Sequence, residues 1–226
     1  MKKKLVILTG AGISAESGIQ TFRDAGGLWE NHDIQEVASP MGWQRNPTLV
    51  LEFYNQRRRQ LLTCNPNDAH RGLVQLEEAY DVTIITQNID DLHERAGSTN
   101  ILHLHGELLK ARSTANPYMI YDCREDIQWG DKAEDGAQLR PHIVWFGEDV
   151  PEIGNAVNIA KQADIFVVIG TSLQVYPAAG LIQYTDFLTP KYLIDPHKPD
   201  IAFANNITFI QKPASEGVED LLKILL

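Results

Sequence analysis

The sequence predicts an α/β chain built on a doubly wound parallel sheet, and three observations carry that expectation. Short apolar runs rich in β-branched residues recur between helical patterns: Leu5 to Leu8, Val82 to Ile85, Ile165 to Ile169, Tyr192 to Ile194 and Ile207 to Ile210. Strands covered on both faces read this way because neither face meets water. Several runs end in small or polar residues, as in Thr9-Gly10-Ala11-Gly12, Thr86-Gln87-Asn88 and Gly170-Thr171-Ser172, which puts the expected ligand site at the carboxyl edge of the sheet. Two stretches, 31–67 and 110–140, interrupt the alternation and predict a small second domain made of two insertions into a core of 1–30, 68–109 and 141–226. The first insertion centres on a helix from Thr48 to Leu62, with Pro47 well placed at its start. The second is polar, with turn signals at Asn116-Pro117 and Gly130-Asp131.

Composition narrows the function. A chain of 226 residues, 43% of them hydrophobic, sustains one substantial core, burying roughly 70 to 75% of its unfolded surface. With 20 basic and 30 acidic side chains the formal charge is -10, which repels a phosphate backbone and argues against nucleic acid as a direct partner, while a basic peptide would be steered inward. Cys64 and Cys123 are the two cysteines, too few for a disulfide framework or a four-thiolate zinc site, so a cytoplasmic chain is expected. Lys2, Lys3 and Lys4 precede an apolar run that stops at Leu8, which reads as a buried strand rather than an export signal. No run approaches the roughly 20 apolar residues of a membrane span.

The first strand leads into Gly10-Ala11-Gly12-Ile13-Ser14-Ala15-Glu16-Ser17-Gly18-Ile19. Glycines here let a backbone approach a pyrophosphate and a helix start face it; a tight turn with no ligand explains the spacing as well. Thr21-Phe22-Arg23-Asp24 follows, and Ala25, Gly26 and Gly27 suit a loop that closes over a ligand. In Thr86-Gln87-Asn88-Ile89-Asp90-Asp91-Leu92-His93, amides beside a carboxylate fit a carboxamide and ribose hydroxyls, but Asn88 or Asp90 could equally cap the next helix. In His103-Leu104-His105-Gly106, extended alternation would set both imidazoles on one side. A metal pair lacks an evident third ligand, and either ring could be a satisfied buried histidine. His105 is the candidate base, because Gly106 permits close ligand approach and imidazole titrates near neutral pH.

In combination these residues resemble the sirtuin family. The matching stretches are Gly10 to Ser14 with Ser17-Gly18-Ile19 and Phe22-Arg23, Thr86 to Asp90 with Leu92-His93 and Arg95-Ala96-Gly97, His105-Gly106, Pro141-His142-Ile143-Val144-Trp145-Phe146-Gly147-Glu148, and Gly170-Thr171-Ser172. The resemblance implies a Rossmann-like sheet with a small domain, NAD as cofactor, and acyl-lysine proteins or peptides as substrates. It implies that Gly10, Ala11, Gly12 and Ala15 hold the pyrophosphate and that Phe22 and Arg23 cover the nicotinamide ribose. Gln87, Asn88 and Asp90 would orient ribose and carboxamide, and Gly170, Thr171 and Ser172 would contact phosphate and adenosine ribose. Asp195 stands where asparagine is common near that ribose and would favour NAD over NADP; Ala214 falls in the late adenine-contacting stretch. His105 would be the base in a reaction that releases nicotinamide and O-acyl-ADP-ribose. Phe146-Gly147-Glu148 and Val175-Tyr176 resemble the loops between which the substrate lies as an added strand, with Val144, Trp145 and Phe146 either walling a lysine tunnel or forming an ordinary core segment.

Tyr54 and Arg57 match the pattern that, in a desuccinylase and demalonylase branch of the family, recognises succinyl and malonyl groups. At i and i+3 of a helix they can point the same way, the arginine to pair a distal carboxylate and the phenol to donate a second hydrogen bond. Otherwise Tyr54 packs in the core and Arg57, Arg58 and Arg59 form a solvated basic face. The chain departs from the family where it usually carries two zinc-binding cysteine pairs: Arg112-Ser113 stands near the first and Cys123 alone lies in the interval. Packing of Tyr118, Met119, Ile120, Tyr121, Ile127 and Trp129 is then expected to replace the metal. The rival functions are an ADP-ribosyltransferase or NAD hydrolase, and a non-catalytic ADP-ribose-binding module.

Overall fold

The computed structural model describes residues 2–20, 32–198 and 205–226, with backbone alone for Leu28 and Trp29. In chain order the elements are β1 (Lys4–Thr9), two 3-10 turns (Ala11–Ile13 and Ala15–Ser17), a hairpin of β2 (Leu28–Trp29) and β3 (His32–Asp33), and helices α1 (Ile34–Val37), α2 (Pro40–Arg45), α3 (Pro47–Thr63) and α4 (Asp68–Leu76). Next come β4 (Asp81–Thr86), α5 (Leu92–Ala96), β5 (Ile101–His103), β6 (Gly106–Ser113), β7 (Ile120–Asp122) and β8 (Leu139–Ile143). The chain closes with α6 (Ile153–Ala160), β9 (Ile165–Ile169), a 3-10 helix (Ala178–Tyr184), β10 (Lys191–Ile194), β11 (Ile207–Ile210) and α7 (Ala214–Leu225).

The main sheet runs β11-β10-β9-β1-β4-β5 with every pair parallel. Its direction of growth reverses beside β1, so Thr9 pairs with Thr86 on one side and Ile169 on the other. That reversal opens a crevice at the carboxyl ends of β1 and β9. Alternation along the strands sends Leu5, Ile7, Ile84 and Val167 to a layer with Leu73 and Leu76 of α4 and Val218 and Leu221 of α7. Val6, Leu8, Ile85, Phe166 and Val168 face Ala156 and Ala160 of α6 and Leu181. The five predicted strands are all present; β5 escaped because three half-buried residues make no apolar run.

The glycine-rich turn differs from expectation in form. It makes two successive 3-10 turns rather than the start of an α-helix, and its glycines are required by protein as much as by any ligand. A methyl group on Gly12 would lie 2.6 Å from Gly170 Cα, and one on Gly10 2.7 Å from Thr171 Cβ. The ends of β1 and β9 thus pack backbone to backbone.

The smaller part combines α1 to α3 with an antiparallel sheet in the order β7-β6-β8. Asn46 caps α3, its Oδ1 accepting from Leu49 N at 3.1 Å, with Pro47 in the first turn. Among the described residues no group of three or more His, Cys, Asp or Glu is placed to hold a metal ion. The expected apolar replacement for zinc is corrected by the burial pattern: of the six residues named above Ile127 alone is buried, while Tyr118 is 90% and Trp129 60% exposed. Polar bonds hold this segment beside a small apolar cluster of Leu51, Ala111 and Ile127. Asn55 of α3 accepts from Ile127 N at 2.9 Å and donates to Ile127 O at 3.0 Å. Ser113 Oγ donates to Asp135 at 2.6 Å and accepts from Ala115 N and Asn116 N, and Gln138 spans Gly130 N and Gln128 O.

Candidate active site

A cavity of about 690 Å3 opens at the carboxyl edge of the main sheet. Its wall includes Gly10, Ala11, Gly12 and Ala15 after β1, Gln87, Asn88 and Asp90 after β4, Gly170, Thr171 and Ser172 after β9, and Asp195 and Ala214. His105, Tyr54, Arg57, Val144, Phe146, Gly147, Glu148, Val175 and Tyr176 border the same space. Phe22 and Arg23, with the Ala25-Gly26-Gly27 loop, lie outside the described residues.

His105 Nδ1 lies 2.9 Å from Gln87 O. A carbonyl oxygen only accepts, so Nδ1 carries the proton and the Nε2 lone pair is left for the cavity. Burial lowers the pKa of His105, and the Gln87 carbonyl offsets this in part, so the ring is a neutral acceptor at neutral pH. Gly106 owes its identity to a different cause from the one its sequence suggested. Its φ is +83° and a methyl there would lie 2.1 Å from His142 O; it admits protein backbone, not a ligand.

Ser14 organises the floor. Its hydroxyl donates to Asp90 Oδ2 at 2.9 Å and accepts from Asn88 Nδ2 at 3.1 Å. Asp90 Oδ1 also accepts from Leu92 N at 3.1 Å, so this carboxylate satisfies an amide at the start of α5 while it lines the cavity. Burial pushes Asp90 up to about 6, against the Leu92 amide and the Ser14 hydroxyl. Ser14 stood within the first motif, but nothing in the sequence set it apart from Ser17.

Tyr54 is fully buried, and its oxygen accepts from Trp145 Nε1 at 3.1 Å. Arg57 lays its guanidinium over the Phe53 ring, 4.3 Å from the centroid, and donates to Phe53 O. The solvated basic face does not form. Arg58 is wholly buried, donating to Leu108 O and Asn55 Oδ1, whereas Arg59 reaches outward to Glu52 and Asp126. Trp145 is 2% exposed and Phe146 40%, so this segment is core at one residue and cavity rim at the next. Glu148 takes two bonds from Arg140, at 2.7 and 3.1 Å, and one from Trp145 N at 2.8 Å. Burial pushes Glu148 up, but Arg140 outweighs it and holds the carboxyl below the usual range. Sequence reasoning missed Trp145 as a hydrogen-bond donor, since its partner is 91 residues away.

Comparison with known proteins identifies what the chain is similar to. The Sir2 family model matches residues 10–177. An NAD-dependent protein deacylase of Helicobacter pylori strain J99 is 57% identical over 224 residues, covering 99% of this chain and 96% of the relative. One of Bacteroides thetaiotaomicron is 56% identical over 230 residues, covering 99% and 98%. Among solved structures, a Sir2 homologue bound to NAD superposes with a TM-score of 0.88 at 35% identity, covering 99% of this chain and 90% of the other. A Sir2 bound to acetylated peptide gives 0.81 at 27% identity, covering 99% and 93%.

Proposed function

The chain belongs to the Sir2 family and is an NAD-dependent protein deacylase that acts on acetyl-lysine; on that premise we propose how its residues share the work and which further acyl groups it accepts. The cavity fits a dinucleotide on its own terms. Its volume of about 690 Å3 lies in the range of roughly 300 to 1,000 Å3 usual for small-molecule sites, and closely packed glycine backbones at one end face amides and carboxylates along the wall. Gly10, Ala11, Gly12 and Ala15 would hold the pyrophosphate, Gln87, Asn88 and Asp90 the nicotinamide half, and Gly170, Thr171, Ser172, Asp195 and Ala214 the adenosine half. Bound NAD supplies a ribose carbon from which nicotinamide can leave.

We assign His105 as general base, accepting a hydroxyl proton at Nε2. The observation that carries this is its bond to Gln87 O, which fixes the tautomer. Val144, Phe146, Gly147, Glu148, Val175 and Tyr176 would receive the peptide around the lysine. Main-chain pairing there would give affinity with little sequence preference.

For the acyl group, Arg57 and Tyr54 favour acidic chains such as succinyl and malonyl, because these two residues, one helical turn apart, both line the cavity. Mass spectrometry of products from acetyl, succinyl and malonyl peptides with NAD tests the reading. Nicotinamide release without any acyl peptide would favour the NAD hydrolase instead. No described helix is long and apolar enough to cross a membrane, and two free cysteines support our assignment of the enzyme to the cytoplasm.

A further inference from the structure

His103 does not border the cavity, yet it holds the loop that does. Its Nδ1 lies 3.3 Å from Asn88 O and its Nε2 2.6 Å from Glu94 Oε1. Both partners are acceptors only, so two satisfied bonds need a proton on each ring nitrogen. His103 and His105 thus grip the successive carbonyls Asn88 O and Gln87 O. His105 does so from the cavity wall as a neutral ring, and His103 does so without lining the cavity.

We propose that His103, held as an imidazolium by Glu94, is a positioning residue that fixes the loop Gln87–Asp90 in the conformation that binds NAD. This rests on the reading of the cavity as the NAD site. The loop's cavity-facing groups depend on where its backbone stands: Asn88 N donates to Thr86 Oγ1, and the Asn88 and Asp90 side chains meet at Ser14. A neutral His103 has one N–H for two acceptors, so either Asn88 O or the Glu94 carboxylate would face a lone pair.

The groups facing His103 favour its charge. Glu94 of α5 and Glu107 of β6 act on it directly, Asp90 of the loop is coupled to it, and buried His93 is the opposing neighbour, while Lys110 acts on Glu94. Burial lowers the pKa of His103, but Glu94 outweighs it and leaves the pKa raised. Because the raised form is the charged one, the clamp is closed below that pKa and opens as pH rises through it.

Two measurements test this in the intact enzyme. Imidazole 15N spectra at neutral pH should show protons on both nitrogens of His103 and on Nδ1 alone of His105. NAD titrations from mildly acid to mildly alkaline pH should show affinity falling at the alkaline end, with Glu94→Gln moving that fall to lower pH and weakening binding at neutral pH by about three- to tenfold, the effect of about one hydrogen bond. His103→Gln should abolish the inflection. A singly protonated His103, or a pH dependence unmoved by either variant while wild type binds NAD, overturns the proposal alone. Failure of wild type to bind NAD at any pH overturns the site reading and the proposal with it.

Discussion

The His105 imidazole donates from Nδ1 to Gln87 O across 2.9 Å, and this bond decides the chemistry open to the ring. His105→Ala should cut deacylation by at least about a hundredfold, the usual contribution of a general base, while calorimetry still detects NAD binding. The acid limb of the wild-type rate profile should fall below the ordinary histidine value, because burial lowers this pKa and the proposed base acts as the neutral ring.

Arg57 is expected to separate acyl groups. Losing a charge-assisted bond of about 1.5 to 3 kcal/mol in Arg57→Met should reduce turnover of succinyl and malonyl peptides roughly ten- to hundredfold relative to acetyl peptide. Steady-state kinetics on the three peptides checks this; equal losses on all of them would count against a carboxylate clamp.

Asp90 is costly to ionise where it lies. Burial pushes its folded pKa up to about 6, above the ordinary aspartate value of 3.8, so the stability linked to it is present below the unfolded value and lost as pH rises through about 6. About two units at about 1.4 kcal/mol each amount to about 3 kcal/mol. Asp90→Asn should therefore gain in melting temperature over wild type as pH moves from acid to alkaline, while weakening NAD binding. A melting-temperature difference that stays constant with pH would count against it.

Stability of the small sheet should depend on Asn55 and not on a metal. Asn55→Ala removes both bonds to Ile127 and the partner of Arg58 Nη1, a loss of about 3 kcal/mol for a buried polar network. Chemical denaturation measures it. A chelator should leave the melting temperature unchanged, and stoichiometric zinc by elemental analysis would contradict this account.

Apolar periodicity is a local property, so the amino-acid order determined the five principal strands, the long helix from Pro47 and the placing of a site at the strands' carboxyl ends. The spacing of Tyr54 and Arg57 on one helical turn was legible for the same reason. Roles that depend on distant neighbours were not. Arg57, Arg58 and Arg59 are consecutive, yet one borders the cavity, one is sealed against Leu108 and one faces solvent. Gly106 reads as room for a ligand until His142 O is found against it. His103 and His105 look equivalent until their second nitrogens are followed, one to Glu94 and the other toward the cavity. The protonation state of a ring follows from the acceptors around it, and folding alone brings those acceptors together.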